Sequence, residues 1–109
     1  ANTEGWLINS FIRNALKSKN YAFIEKEIFG SMKLVDQIAK ILGKGVKGSI
    51  EIVGLCSDIC VVSNALMLRS AFPNTEITVD ASCCAGVTPD KHKAAMEVMK
   101  SCQINVIGE

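Results

Sequence analysis

The sequence predicts an α/β fold, a three-layer α/β/α domain with a mostly parallel sheet. Two observations predict it. Short apolar runs typical of strands alternate with longer segments whose apolar residues recur every three or four positions, as in helices. The segments between them are short and rich in glycine, proline and asparagine. Strands separated by helices pair in parallel through right-handed crossovers, so the 109 residues predict one domain of this class.

The first half of the chain predicts two strands on either side of one helix. Residues 21–25 form a short, aromatic-rich run that suits a strand, and residues 50–54 form a second. Between them, a helix begins at Ser31, and a glycine-rich loop at 43–48 follows it. Residues 1–20 fit either an amphipathic helix or an irregular segment. The apolar positions of the helix are Leu34, Val35, Ile38, Ile41 and Leu42.

The second half predicts two further strands, each preceded by a helix. Residues 59–71 are apolar on nearly every side, as in a buried helix, and residues 76–80 form a strand that a run of small residues ends. Thr88 and Pro89 predict the N-cap and first position of the last helix, before a strand at 104–107. We expect the inner face of that helix to comprise Ala94, Ala95, Val98, Met99 and Cys102.

Composition excludes several classes of partner. The formal net charge of +1 gives no cluster of basic residues for nucleic acid or for an anionic membrane. The apolar runs are far shorter than a bilayer span, and no signal-peptide pattern opens the chain. We therefore expect a cytoplasmic protein that binds neither nucleic acid nor a membrane.

The five cysteines are predicted to be thiols. Their number is odd and their neighbours are apolar, unlike those of small disulfide scaffolds. Neither Cys56-x-x-x-Cys60 nor the adjacent pair Cys83 and Cys84 has the paired spacing of a structural zinc site. We predict no metal ligands among them.

Cys60 is the candidate nucleophile. It lies at the start of the predicted buried helix, a short turn after Gly54, where the helix dipole and backbone N–H groups would favour a thiolate. The same N–H groups could stabilise an oxyanion. From spacing alone, packing as a small apolar residue explains Cys60 slightly better.

Two segments resemble the isochorismatase-like cysteine hydrolases, nearest to the nicotinamidase branch. Residues 52–61 (IVGLCSDICV), followed by Asn64, resemble the nucleophile segment of that superfamily. Residues 25–31 (EKEIFGS) resemble its lysine segment, with Phe-Gly-Ser as in nicotinamidase-like members. With the later strands and the helix that carries His92, the resemblance covers residues 21–107 and implies the Rossmann-like sheet of that superfamily.

The resemblance implies a set of site residues. Cys60 would attack an amide carbonyl and form a thioester, and Lys26 would stabilise the charge of the thiol. The backbone N–H groups of Cys56 and Cys60 would form the oxyanion hole, with a cis peptide between Leu55 and Cys56. Apart from the resemblance, Trp6 and Phe29 could line a pocket for a flat aromatic ring, because Phe29 lies just past Lys26, although packing explains both equally well. Leu55 is a further candidate for this substrate pocket.

Two family features have no match in the chain. One is the N-terminal aspartate that acts as general acid and base, and the other is an upstream metal loop with histidines. The one histidine, His92, is expected at the surface. The resemblance therefore implies that residues 1–109 are a single, N-terminally truncated domain, inactive alone. Its missing N-terminal portion would contribute two strands between the Lys26 strand and residues 50–54. The chain itself would hold no cofactor, and a zinc-like divalent metal would belong to a longer parent protein.

The implied activity is hydrolysis of a small, nicotinamide-like amide with release of ammonia, in a homo-oligomer. Three alternatives stay open. N-carbamoyl amides could be the substrates. Hydrolysis of the vinyl ether of isochorismate is a second enzymatic option, but it needs no thiol. The third is a non-catalytic binding or assembly module of the same fold, which the absence of the aspartate from the parent would favour.

Overall fold

The computed structural model describes residue 24, residues 28–43 and residues 48–109. Within these ranges, strands and helices alternate as the sequence predicts, and the α/β class is confirmed. The predictions for residues 1–20 and for the strand at 21–25, Ile24 apart, lie outside the described residues. The elements are α1 (Met32–Gly43), β1 (Ile50–Leu55), a π-helical turn (Ser57–Val61), α2 (Val62–Ala71), β2 (Ile77–Ala85), α3 (Pro89–Ser101) and β3 (Asn105–Ile107).

The three strands form a parallel sheet in the order β1-β2-β3. β2 is central, with Ile77 opposite Ile50 and Val79 opposite Val106. Among the described residues, β1 therefore has a partner along one edge only. The carboxyl ends of all three strands meet at one end of the sheet, which is where ligands bind in open α/β folds.

β2 is longer than predicted, because its pairing with β1 continues past an irregularity. β1 advances from Ile52 to Gly54 while β2 advances from Val79 to Cys84, so β2 carries the extra residues. Pairing uses the backbone, so the small residues that were expected to end the strand continue it. Asp80, expected at the strand end, instead lies inside β2.

The core lies between β2 and the helices α2 and α3, which contact each other. Alternate residues of β2 point into it, and Met96 and Met99 of α3 are fully buried. On the other face of β1, Val53 and Leu55 are 54% and 69% exposed. The fully or almost fully buried apolar residues of the core are Val61, Ala65, Leu68, Ile77, Val79, Ala81, Ala95, Met96, Met99 and Ile104.

The last helix confirms its predicted start and corrects its predicted inner face. The Thr88 hydroxyl accepts a hydrogen bond from the N–H of Lys91 at 3.2 Å, and Pro89 opens the helix. Its buried residues are Ala95, Met96 and Met99, whereas Ala94 and Val98 are exposed. The helix is rotated so that the bulky Met96 fills the core, and the small Ala94 and the β-branched Val98 face outwards. No helix in the described ranges is long and apolar enough to cross a membrane.

Candidate active site

Cys60 lies in a π-helical turn directly beyond the carboxyl end of β1. The helix begins at Ser57, two residues before the predicted start, and continues as α2. Its first turn is fixed by the carbonyl of Cys56, which accepts hydrogen bonds from the N–H groups of Ile59 at 3.1 Å and Val61 at 3.0 Å. The thiol-bearing residue is half-buried. Its position at the start of a helix and the end of a parallel strand is the one that the sequence predicts.

The peptide bond between Leu55 and Cys56 is cis, as the resemblance implied. Gly54, just before it, has φ +133°, a conformation that L side chains rarely adopt. Cys56 itself is extended and half-buried, and Leu55 is exposed. The chain thus turns sharply between the strand and the helix that carries Cys60.

His92 is bound to this turn, which corrects the expectation of a surface residue. Its Nδ1 lies 2.6 Å from the Oγ of Ser57, and the Ser57 side chain is fully buried. The ring is half-buried. A histidine in the first turns of α3 therefore holds the residue that follows the cis peptide.

A second contact joins the same two segments. The Asp58 carboxylate accepts a hydrogen bond from the N–H of Val87 at 3.0 Å. Gly86 makes this approach possible, because a Cβ there would lie 2.8 Å from the His92 nitrogen and 3.0 Å from Oδ1 of Asp58. Ser57 and Asp58 belong to the π-helical turn that carries Cys60, Ser57–Val61, which we call the nucleophile turn. They thus bind residues on both sides of Thr88, the N-cap of α3.

Asn64 is a functional candidate that sequence reasoning missed. Its side chain accepts a hydrogen bond from the N–H of Ser31 and donates to the carbonyls of Phe29 and Cys60. In the sequence, Asn64 is identified only as the residue that follows the nucleophile segment 52–61, with no role of its own. An asparagine in the first turn of a buried helix was the available signal, because such a residue needs hydrogen-bond partners.

A family model described as the isochorismatase domain matches residues 9–108. The chain belongs to the isochorismatase family. The family identification made from the Cys60 and Lys26 segments is therefore confirmed, and with it membership of a family of hydrolases.

Solved structures similar to this isochorismatase-family chain include several nicotinamidases. The nicotinamidase of Bacillus subtilis superposes with a TM-score of 0.79 at 22% identity, over 97% of this chain and 60% of the other. The Staphylococcus aureus nicotinamidase has a TM-score of 0.68 at 28% identity, over 88% and 61%. The chain thus spans about 60% of the length of these relatives. A search of curated proteins found no match.

A pyrazinamidase of Pyrococcus horikoshii, solved in complex with zinc, is also similar, with a TM-score of 0.61 at 25% identity, over 83% of this chain and 49% of the other. The described residues of this family member do not fit such a metal. They contain no group of three or more histidine, cysteine, aspartate or glutamate side chains that could hold an ion. Nδ1 of His92, the one histidine of the sequence, is engaged by Ser57.

Two titratable side chains of β2, those of Cys84 and Asp80, are poorly suited to chemistry. Burial raises the pKa of the Cys84 thiol, although a hydrogen bond from the backbone of Gly54 opposes the rise. A thiol that stays protonated is a poor nucleophile. Hydrogen bonds from the Ser82 hydroxyl and N–H, at 2.5 and 3.1 Å, hold the pKa of Asp80 below its usual value. Asp80 therefore stays ionised and is not suited to proton transfer.

Of the remaining predicted site residues, Phe29 and Leu55 lie within the described residues. Phe29 is 56% exposed, and its backbone is joined to that of Cys60 through Asn64. Leu55 lies at the end of β1, one residue before Cys56. Lys26, the predicted partner of the thiol, lies outside the described residues.

Proposed function

We propose that this chain carries the nucleophile of a cysteine-dependent amidohydrolase that acts on a small, nicotinamide-like amide and releases ammonia. The observation that carries the proposal is the position of Cys60. It is half-buried in the first turn of a helix, beyond the carboxyl end of a parallel strand, in a chain of the isochorismatase family. Similarity to structures of nicotinamidases supports the choice of amide.

The reaction proceeds in two stages. The Cys60 thiolate attacks the amide carbonyl, a C–S bond forms and the carbonyl electron pair moves to oxygen. Collapse of this tetrahedral intermediate breaks the C–N bond, and the nitrogen leaves as ammonia after taking up a proton. Water then hydrolyses the thioester to the carboxylic acid and regenerates the thiol.

The roles of the other residues follow from where charge develops. Backbone N–H groups of Cys56 and Cys60, at the positive end of the helix, stabilise the oxyanion. Lys26 stabilises the thiolate, since a nearby cation lowers the pKa of a thiol. Phe29 and Leu55, which are both largely exposed, offer apolar surface for a flat aromatic ring.

The proton carrier and the rest of the sheet are assigned to a further segment of the same single domain. β1 has one partner among the described residues, and Val53 and Leu55 are exposed on its outer face. An unpaired strand edge with exposed apolar side chains is unfavourable in water. We propose that this segment pairs with β1 and supplies the aspartate that transfers protons, so that residues 1–109 alone are inactive. A cytoplasmic location and a homo-oligomeric state belong to the same proposal.

The test is ammonia release from nicotinamide by the protein as its source produces it, including any flanking segments. We expect Cys60→Ala to abolish release and Cys102→Ala, a half-buried thiol at the far end of α3, to leave it unchanged. Release that survives Cys60→Ala would contradict the thiol mechanism. Cys60-dependent release from N-carbamoyl amides alone would change the substrate but keep the mechanism. Absence of release from any amide would favour a non-catalytic module.

A further inference from the structure

We propose that Asn64 is a positioning residue, which fixes the substrate-binding segment around Phe29 relative to the nucleophile Cys60. The inference rests on the proposed function and adds a residue to its machinery. Asn64 does not react. It acts through the backbone of the residues on either side of the site.

The hydrogen bonds of Asn64 link two segments that are distant in sequence. Its Oδ1 accepts from the N–H of Ser31 at 2.9 Å, while Nδ2 donates to the carbonyl of Phe29 at 3.1 Å and to that of Cys60 at 2.8 Å. The partners determine the orientation of the amide, since the Ser31 nitrogen can only donate and the two carbonyls can only accept. Both N–H bonds of the amide and one oxygen lone pair are therefore used.

The segment around Gly30 packs against α2 next to Asn64. A Cβ on Gly30 would lie 2.6 Å from the sulfur of Met67 and 3.7 Å from Cβ of Ser63. Ser31 is 7% exposed, and its hydroxyl accepts a hydrogen bond from Leu34 in the first turn of α1. The Gly30 segment therefore packs against the side chain of Met67, and Asn64 binds the backbone on both sides of Gly30, at Phe29 and Ser31.

The consequence for chemistry comes from geometry. A substrate ring bound by one segment must present its carbonyl to a thiol carried by another, and the reacting atoms must approach to about 3–3.5 Å. A misplacement of about 1 Å can cost a factor of about 100 in rate. One amide that binds the backbone of both Phe29 and Cys60 removes a major source of such misplacement.

Two variants distinguish the hydrogen bond that the Asn64 side chain accepts from the two that it donates. Both are made in the protein as its source produces it. Asn64→Leu removes all three hydrogen bonds. Asn64→Asp keeps an acceptor for Ser31 but loses both donations to the carbonyls. We expect kcat/KM per titrated active site to fall about 10- to 100-fold in both, with a raised KM and a lowered kcat.

Arg69→Met is the matched control. Arg69 lies on the same helix, and its guanidinium also donates three hydrogen bonds to backbone carbonyls, at the end of the helix away from Cys60. Its loss should lower stability while KM and kcat per active site stay within twofold of the wild type. An equal catalytic loss in Arg69→Met, or kcat/KM within twofold of the wild type in both Asn64 variants, would overturn the proposal.

Amide hydrogen exchange at Ser31 tests this inference independently of the proposed function. We expect faster exchange in Asn64→Leu and slow exchange in Asn64→Asp, whatever the substrate is. Unchanged exchange in Asn64→Leu would show that the link is absent and would refute the inference. Ammonia release that survives Cys60→Ala would instead refute the proposed function, while the exchange result would still report the link.

Discussion

Replacing Gly86 by alanine is expected to destabilise the contact between the nucleophile turn and α3. The added Cβ would lie 2.8 Å from the backbone nitrogen of His92, 2.9 Å from its Cβ and 3.0 Å from Oδ1 of Asp58. Two of these atoms belong to the first turns of a helix and cannot rotate away. The loop must therefore shift.

The size of the effect follows from what the shift disturbs. Forcing an extra methyl group into a packed site costs about 1–3 kcal/mol. The hydrogen bonds from Val87 to Asp58 and between Ser57 and His92 are both close to the displaced residue, and each contributes about 0.5–1.5 kcal/mol. We expect the free energy of unfolding to fall by about 2–4 kcal/mol, as the sum of these terms when the bonds are partly lost.

The assay is urea denaturation, with the midpoint compared at an unchanged slope. Gly48→Ala is the matched control, because a Cβ at Gly48 would meet no atom of the described residues within 4 Å. It should leave stability unchanged or raise it by up to about 1 kcal/mol, since alanine restricts the unfolded chain. Equal free energies of unfolding for Gly86→Ala and Gly48→Ala would refute the reasoning about close approach.

Two further predictions concern the core and the acid range. Met96→Ala should lower the free energy of unfolding by about 2–5 kcal/mol, because Met96 is fully buried, whereas Val98→Ala, at a side chain 46% exposed, should cost far less in the same urea titration. Similar losses in both would contradict the observed face of α3. The depressed pKa of Asp80 means that its contribution to stability is complete above its unfolded pKa of about 3.9 and is lost as the pH falls through the folded value. Ser82→Ala removes the hydroxyl hydrogen bond and keeps the one from the backbone N–H, so it should raise the pKa of Asp80 in an NMR titration. An unchanged pKa would show that the Ser82 hydroxyl is not the main cause of the depression.

The parts of the fold that were predictable rest on local signals. The start of α3 was predicted because Thr88 and Pro89 carry the capping signal in their own side chains. The α/β class was predicted because strand-like and helix-like periodicities alternate along the chain. Such features need no knowledge of distant contacts.

The features that were missed depend on tertiary structure. Ala94 and Met96 are both apolar and both fit a helical stripe, so only packing against β2 and α2 decides which is buried. The extent of β2 depends on pairing with β1, and the register of that pairing changes after Ile52. Neither can be read from the residues of one element.

The candidate site also has features that were predicted from a local motif and features that were missed because they depend on distant contacts. The position of Cys60 and the cis peptide before Cys56 were predicted, because the motif that carries them is continuous in sequence. The link from His92 to Ser57 spans 35 residues, and that from Asn64 to Ser31 spans 33. Partners so far apart leave no pattern in a single sequence. The role of Lys26 stays a prediction.

The central claim is that Cys60 forms a covalent intermediate with the amide. The most direct measurement is peptide mapping by mass spectrometry after acid quenching of the protein, as its source produces it, during turnover of nicotinamide. The account predicts a nicotinoyl thioester on the peptide that contains Cys60, and its loss in Cys60→Ala. Turnover with the acyl group on another cysteine, or undiminished turnover in Cys60→Ala, would contradict it.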